Sequence, residues 1–459
     1  MMSRMILFGA TGDLAGRFLF PALAALKARG DLPHDFSLIG CASSDWNDTR
    51  FRRHAAHRLG EHAEEVETEI RDWLLDTLSY RRMDIKDAPA VADLVREDEG
   101  PFVAYIALPA SLFPDAIRSF GTAGMPPGSR LVLEKPFGED LASARALNAL
   151  LSEEFGADGE KLAYRVDHVL GMTTVANLMA LRSGNRLFDQ LWNGRDIAEI
   201  EILWEETLAL EGRDGFFDQT GTLRDVIQNH VLQLLALTGM EWREGDLATS
   251  KRDLLAAIPE ISVDRLDTLT CKGRYIGGWL ADGRYVGDYE NEKGVDPDRG
   301  TETFAEVLLS IKNDRWQGVP VRLRAGKALA ARRKAVIVRF RPPEHETAPA
   351  RMDELSIGID GPRTTELRLA GNDEEDGGGL VFQAPPPTAE RAAYGNVLAD
   401  ILSGGSKLSV SGGEAEEAWR ILDPVLRSWR EDRARPEDYR AGSKGPERLP
   451  FGTADGEGD

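Results

Sequence analysis

Met5-Ile6-Leu7-Phe8-Gly9-Ala10-Thr11-Gly12-Asp13-Leu14 decides the fold, because an apolar strand runs straight into a glycine turn and the start of a helix. Glycines at such a turn let the backbone bend sharply and approach a pyrophosphate. Free N–H groups at the helix N-terminus then stabilise its charge. Gly9 and Gly12 are spaced more closely than the usual Gly-x-Gly-x-x-Gly fingerprint. The pair could serve only as a strand-to-helix turn. Its place in the first βα unit favours a nucleotide, with Thr11, Asp13 and Leu14 completing the turn.

Outward from this turn, strand and helix patterns alternate. Leu14–Arg29 reads as a helix ending at Gly30, Phe36–Gly40 as a second strand, and Val103–Leu108 and Leu131–Glu134 as further buried strands. Strands separated by helices predict a parallel sheet covered on both faces. The segment after the second strand, Gly40-Cys41-Ala42-Ser43-Ser44-Asp45, holds no cation before Arg50. A 2′-phosphate calls for Arg or Lys there, so the segment leans towards NAD, with Ser43 or Ser44 as the means of accepting NADP.

From about Val175 the pattern changes. Leu223–Leu237 reads as one long helix, and Gly273–Leu280, Gly283–Tyr289, Thr303–Lys312, Val319–Arg324 and Ala335–Phe340 as strands joined by short turns, which predicts an antiparallel sheet. Thr388–Leu402 and Glu414–Trp429 read as closing helices, the second kinked or broken at Pro424. Gly371–Gly379 reads as an acidic loop, and the polar tail beyond Arg433 as poorly ordered. The expected division is 1–174, 175–433 and a tail 434–459.

The 459 residues exceed the size at which one core stops growing, so two domains are expected. A net charge of −21 disfavours nucleic acid and anionic membranes as partners. No run approaches the ~20 apolar residues needed to cross a bilayer. Met1 leads straight into a strand without a signal pattern. The only cysteines, Cys41 and Cys271, have no metal-ligand spacing, so no metal and a reducing, cytoplasmic setting are expected.

An ordered set of motifs now stands out: Phe8-Gly-Ala-Thr-Gly-Asp-Leu-Ala15, Glu134-Lys-Pro-Phe-Gly138, Arg165-Val-Asp-His168, Arg224-Asp-Val-Ile-Gln-Asn-His230, Thr301-Glu-Thr-Phe304 and Arg324-Ala-Gly-Lys-Ala-Leu329. Together they resemble the glucose-6-phosphate 1-dehydrogenase family through nearly the whole chain. The resemblance implies a Rossmann-like α/β N-terminal domain beside a larger α+β domain with a mostly antiparallel sheet, and a homodimer or homotetramer. It also implies oxidation of a sugar C1 hemiacetal to a lactone with NAD or NADP. By motif position His230 is the general base and Asp167 its orienting carboxylate. Lys135 bridges sugar and nicotinamide, with Pro136 in the cis form. Glu206, Asp225 and Lys327 fall where the family holds the sugar hydroxyls and the substrate's far end, and His168, Lys327 and Arg332 or Arg333 are the remaining candidate phosphate donors. The chemistry agrees, since removing a hemiacetal proton as hydride leaves C1 calls for a base of near-neutral pKa oriented by a carboxylate. Without the motif, His230 in its apolar helix would read as an ordinary core histidine.

The chain also departs from the family. The usual Arg-Ile-Asp-His-Tyr-Leu-Gly-Lys-Glu is here Arg165-Val-Asp-His-Val-Leu-Gly-Met-Thr173, so Val169 and Met172 replace the tyrosine and lysine that hold a 6-phosphate. A Lys-Arg-Lys-like stretch after the glycine turn has become Gly16-Arg17-Phe18. Each lost charge-assisted hydrogen bond is worth roughly 1.5–3 kcal/mol. The expected substrate is therefore a hexose with an altered C6 group: a free hydroxyl, a monoanion such as a sulfonate, or another modified group. An ordinary glucose-6-phosphate dehydrogenase comes next, and a silent nucleotide-binding regulator last.

Overall fold

The structure, a computed structural model, describes residues 1–210, 214–243, 245–343, 352–360, 365–370, 379–384, 392–431 and 435–451. The chain divides into two compact units, Met1–Thr173 with Ala389–Glu416 and Thr174–Thr388 with Glu417–Asp459.

In the first unit β1 (Arg4–Phe8), β2 (Ser37–Ala42), β3 (Leu78–Arg82), β4 (Phe102–Ile106), β5 (Arg130–Glu134) and β6 (Ala163–Val166) are parallel neighbours in the order β3-β2-β1-β4-β5-β6. This is the doubly wound order of dinucleotide-binding domains. β1 and β4 are buried at every residue, as strands covered on both faces must be. β3 escaped the sequence reading because Ser79, Arg81 and Arg82 interrupt its apolar run, and β6 was read only as the strand end at Asp167. The expected helix Leu14–Arg29 is instead a π-helical turn, Ala15–Leu19, followed by an α-helix, Phe20–Ala28.

Residues 389–416, expected in the second domain, complete the first. Strand Ser409–Val410 lies antiparallel on the outer edge of β6. Helix Ala393–Leu402 buries Val397, Leu398 and Ile401 in the same core as Phe20 and Leu23, and the expected start at Thr388 lies outside the described residues.

The second unit is built on a nine-stranded sheet. Its order is 379–384, 365–370, 354–360, 333–340, 197–205, 320–326, 304–310, 270–276 and 437–440. Only Pro320–Gly326 on Ile197–Glu205 and Glu437–Arg440 on Thr270–Ile276 pair in parallel. The other pairings are antiparallel. The expected helix Leu223–Leu237 is a π-helix, Leu223–Val231, continued by an α-helix, Leu232–Gly239.

Helix Gly412–Glu431 contains Pro424 within one continuous element, so of the expected kink or break there is no break. Most of the expected acidic loop at 371–379 lies outside the described residues.

The described part of the tail is ordered by apolar contact, with Tyr439 and Ala441 buried in the core beside Phe304, and by charge. Arg322 joins Glu201 (3.0 Å) and Glu306, and Arg324 joins Glu205 (2.9 Å) and Glu306 (2.5 Å), all buried. The same two arginines donate to the carbonyls of Leu449 (2.8 Å) and Lys444 (2.7 Å), strapping residues 443–449 to the sheet. Polar composition alone could not show these partners. Among the described residues no helix is long and apolar enough to cross a membrane.

Candidate active site

The dinucleotide turn sits at the carboxyl end of β1, where the strand order reverses and such sheets leave a crevice. Gly9 has φ +79°, and a Cβ there would lie 2.1 Å from the Ala107 carbonyl, so only glycine fits. The Gly12 N–H donates to the Gly9 carbonyl (2.9 Å), closing the turn, and Gly12 and Asp13 are exposed. Asp13 is held by Arg58 (2.6 Å) and Arg17 (3.3 Å). Leu14 and Thr11 are half-buried beside them. This tight, open turn fits a pyrophosphate. After β2, Ser43 is exposed, and Asp45, Trp46, Arg50 and Arg53 line an open groove with the Arg50 guanidinium 5.0 Å from the Trp46 ring.

β5 delivers Glu134 and Lys135, and the Lys135–Pro136 peptide bond is cis, as the resemblance implies. The next helix, Leu141–Phe155, starts on a capping box between Asp140 and Ser143, which fixes the intervening turn. The sequence reading passed over Glu134 itself. Its carboxylate accepts from the Tyr105 hydroxyl (2.5 Å) and from Tyr394. Burial pushes Glu134 up to about 7, although Tyr105, Lys135 and Tyr394 all pull the other way.

β6 delivers Asp167, which is 1% exposed. Its Oδ1 accepts from the Val169 N–H (3.1 Å), capping a 3₁₀ turn, His168–Gly171. The His168 ring stacks on Tyr394 at 5.8 Å and 14°. Arg165 is a structural member of its motif: fully buried, it engages Glu160 (3.0 Å) and Asn148 (2.6 Å). Val169 is fully buried and Met172 half-buried.

In the second unit the π-helix carries Asp225, half-buried, and His230, 4% exposed. The Trp204 indole stacks on His230 at 5.1 Å and 26°. The N-terminus of this π-helix is held by the Thr301-Glu-Thr-Phe304 motif. Glu302 accepts from the Leu223 N–H (2.9 Å), and its backbone carbonyl from the Thr222 N–H (3.2 Å). Gly221, just before it, has φ +71°, and a Cβ there would meet the Glu302 carboxylate at 2.4 Å.

Glu206 and Lys327 meet at 2.8 Å, and Lys334, absent from the sequence reading, reaches Glu206 at 2.9 Å while lying over the Trp204 ring. Burial alone would raise the Glu206 carboxyl, but the two lysines outweigh it and hold the group at about 2. Arg332 borders this group through Asp360, which Lys334 also reaches at 3.7 Å. It is exposed and pairs with Asp360, whereas Arg333 pairs with Glu205 (3.0 Å). A strand-end lysine such as Lys334 reads in sequence as a solvated marker. Tyr394 stands 226 positions after His168, so no local signal links them.

Comparison with known proteins gives matches over both units. The family model described as the glucose-6-phosphate dehydrogenase NAD binding domain matches residues 6–177, and the C-terminal domain model matches residues 179–452. The chain is 35% identical to the glucose-6-phosphate 1-dehydrogenase of Zymomonas mobilis, covering 97% of this chain and 96% of the relative. It is 36% identical to glucose-6-phosphate 1-dehydrogenase 2 of Mycobacterium tuberculosis, covering 96% and 91%. The solved glucose-6-phosphate 1-dehydrogenase of Mycobacterium avium superposes with a TM-score of 0.85 at 31% identity, covering 97% of this chain and 95% of the other. A glucose-6-phosphate dehydrogenase solved with its substrate glucose 6-phosphate gives 0.87 at 28% identity, covering 98% and 96%. With both of its domains accounted for and its fold shared, this chain belongs to the glucose-6-phosphate dehydrogenase family.

Proposed function

We propose that the protein oxidises the C1 hemiacetal of glucose 6-phosphate, or of a glucose carrying another C6 group, to the lactone. The observation that carries this reading is the buried His230 ring, fixed against Trp204 on a π-helical segment. Such segments recur at functional sites. His230 takes the proton of the C1 hydroxyl, and Asp167 orients the imidazole. Lys135, His168, Glu206, Asp225 and Lys327 are the proposed sugar-binding residues. The glycine turn with Thr11, Asp13 and Leu14 would hold NAD or NADP, which when bound supplies the nicotinamide that accepts the C1 hydride. His230→Asn is expected to lower kcat by at least ~10² while cofactor affinity stays nearly unchanged. A variant keeping more than half of its kcat would sink the assignment.

NAD is the proposed preferred cofactor, because Ser43 and Ser44 stand where a 2′-phosphate needs a cation. Ser43→Arg should improve NADP use. A higher kcat/KM with NADP in the unmodified enzyme would instead put the phosphate on Ser43 and Ser44, or on Arg50 of the neighbouring groove.

An altered C6 group is favoured by the cations as well as by Val169 and Met172. Lys327 and Lys334 share Glu206, while Arg332 and Arg333 pair with Asp360 and Glu205, so each of these cations already faces a carboxylate. Assays on hexoses differing only at C6 decide it. Glucose 6-phosphate outperforming every other sugar would leave the ordinary family substrate standing.

A further inference from the structure

Glu134 has no part in the chemistry above, yet it joins three segments of the first unit. Its carboxylate accepts the Tyr105 hydroxyl from β4 and the Tyr394 hydroxyl from helix Ala393–Leu402. Its own chain continues into Lys135 and the cis peptide bond. The Tyr394 ring in turn stacks on His168 and lies 5.2 Å from the Phe18 ring, in the π-helical turn that follows the glycines. One carboxylate thus anchors a ring that touches a proposed sugar-binding residue and the helical turn that follows the glycines.

We propose that Glu134 is a positioning residue, whose ionised carboxylate gathers the Tyr105 and Tyr394 hydroxyls and through Tyr394 sets the His168 ring. The proposal rests on His168 and Lys135 facing the sugar. A carboxylate accepts both hydroxyls at once. A neutral acid carries its own O–H donor and competes with one of them, and the Tyr394 ring is the one with neighbours to disturb. The groups facing Glu134 are Tyr105 from β4, Tyr394 from its helix, Lys135 on its own strand and Asp167 at the end of β6. Burial outweighs the cation and the two hydroxyls, so the carboxyl changes charge near pH 7. Positioning is therefore expected to hold above that pH and to fail below it.

Glu134→Gln, checked for a native unfolding transition, tests this. In unmodified enzyme, log kcat/KM for glucose 6-phosphate should rise through two ionisations between pH 5 and 9, one from the general base and one from Glu134. The variant should show a single ionisation. Above pH 8 its sugar kcat/KM should be about tenfold lower, while cofactor KM stays within about twofold. Superimposable profiles, or an equal loss on cofactor and sugar, would overturn the proposal. Should Glu134→Gln not fold, Tyr394→Phe keeps the ring and removes one donor to the anion, so the Glu134 ionisation should move to higher pH. An unmoved profile there rejects the role. Absence of sugar oxidation by unmodified enzyme at every pH would instead reject the proposed function, so the two failures are distinct.

Discussion

Glu206 shows how little separates neighbouring carboxylates in sequence and how much in structure. Glu205 engages Arg324 and Arg333, whereas Glu206 engages Lys327 and Lys334. The sequence picked Glu206 over Glu205 only through a family resemblance, because both read as the polar end of a strand. The lysines hold its folded pKa near 2, below the ordinary 4.5. A depressed carboxylate stabilises the fold above its unfolded pKa, and this contribution fades as pH falls from about 4.5 towards 2. The shift corresponds to roughly 3 kcal/mol at neutral pH as an upper bound. Urea unfolding of Glu206→Gln should show a deficit at pH 7 that shrinks steadily below pH 4.5. A deficit independent of pH would mean that Glu206 acts by packing alone.

The element that carries His230 was legible as a helix but not as a π-helix. Every residue from Val226 to Gly239 is buried, so apolar residues mark no single stripe and periodicity cannot count residues per turn. The difference matters for the site. In an α-helix two residues five apart point roughly 140° away from each other. An i→i+5 ladder brings them towards one face, and Asp225 and His230 are five apart. Gly221 and Glu302 set where this segment begins. Gly221→Ala would combine a left-handed backbone with a clash against the Glu302 carboxylate. It is expected to cost about 1–3 kcal/mol and to lower kcat more than it raises sugar KM. Unchanged stability and kcat would show that the segment does not depend on this start.

At the scale of the whole molecule, the alternation of strand and helix made the first unit readable, and the strand-rich remainder made the second readable as a mostly antiparallel sheet. Hidden from sequence was the return of residues 389–416 to the first unit, because core contacts made across that distance leave no local pattern. The Met2 N–H donates to the Leu402 carbonyl (2.7 Å), the Tyr164 hydroxyl to Asp400 (2.8 Å) and Arg130 to the Gly404 carbonyl (2.8 Å). A fragment of residues 1–173 should therefore unfold without a sharp transition, whereas 1–173 linked to 389–416 should regain one in thermal melts followed by circular dichroism. Equal cooperativity in both would show the returning segment to be dispensable. The same discontinuity imposes an order on synthesis. At ~5–20 residues per second, the helix that closes the first core is completed roughly 11–46 s after Thr173. For that interval the nascent nucleotide-binding unit carries an uncovered apolar face, a natural target for a chaperone.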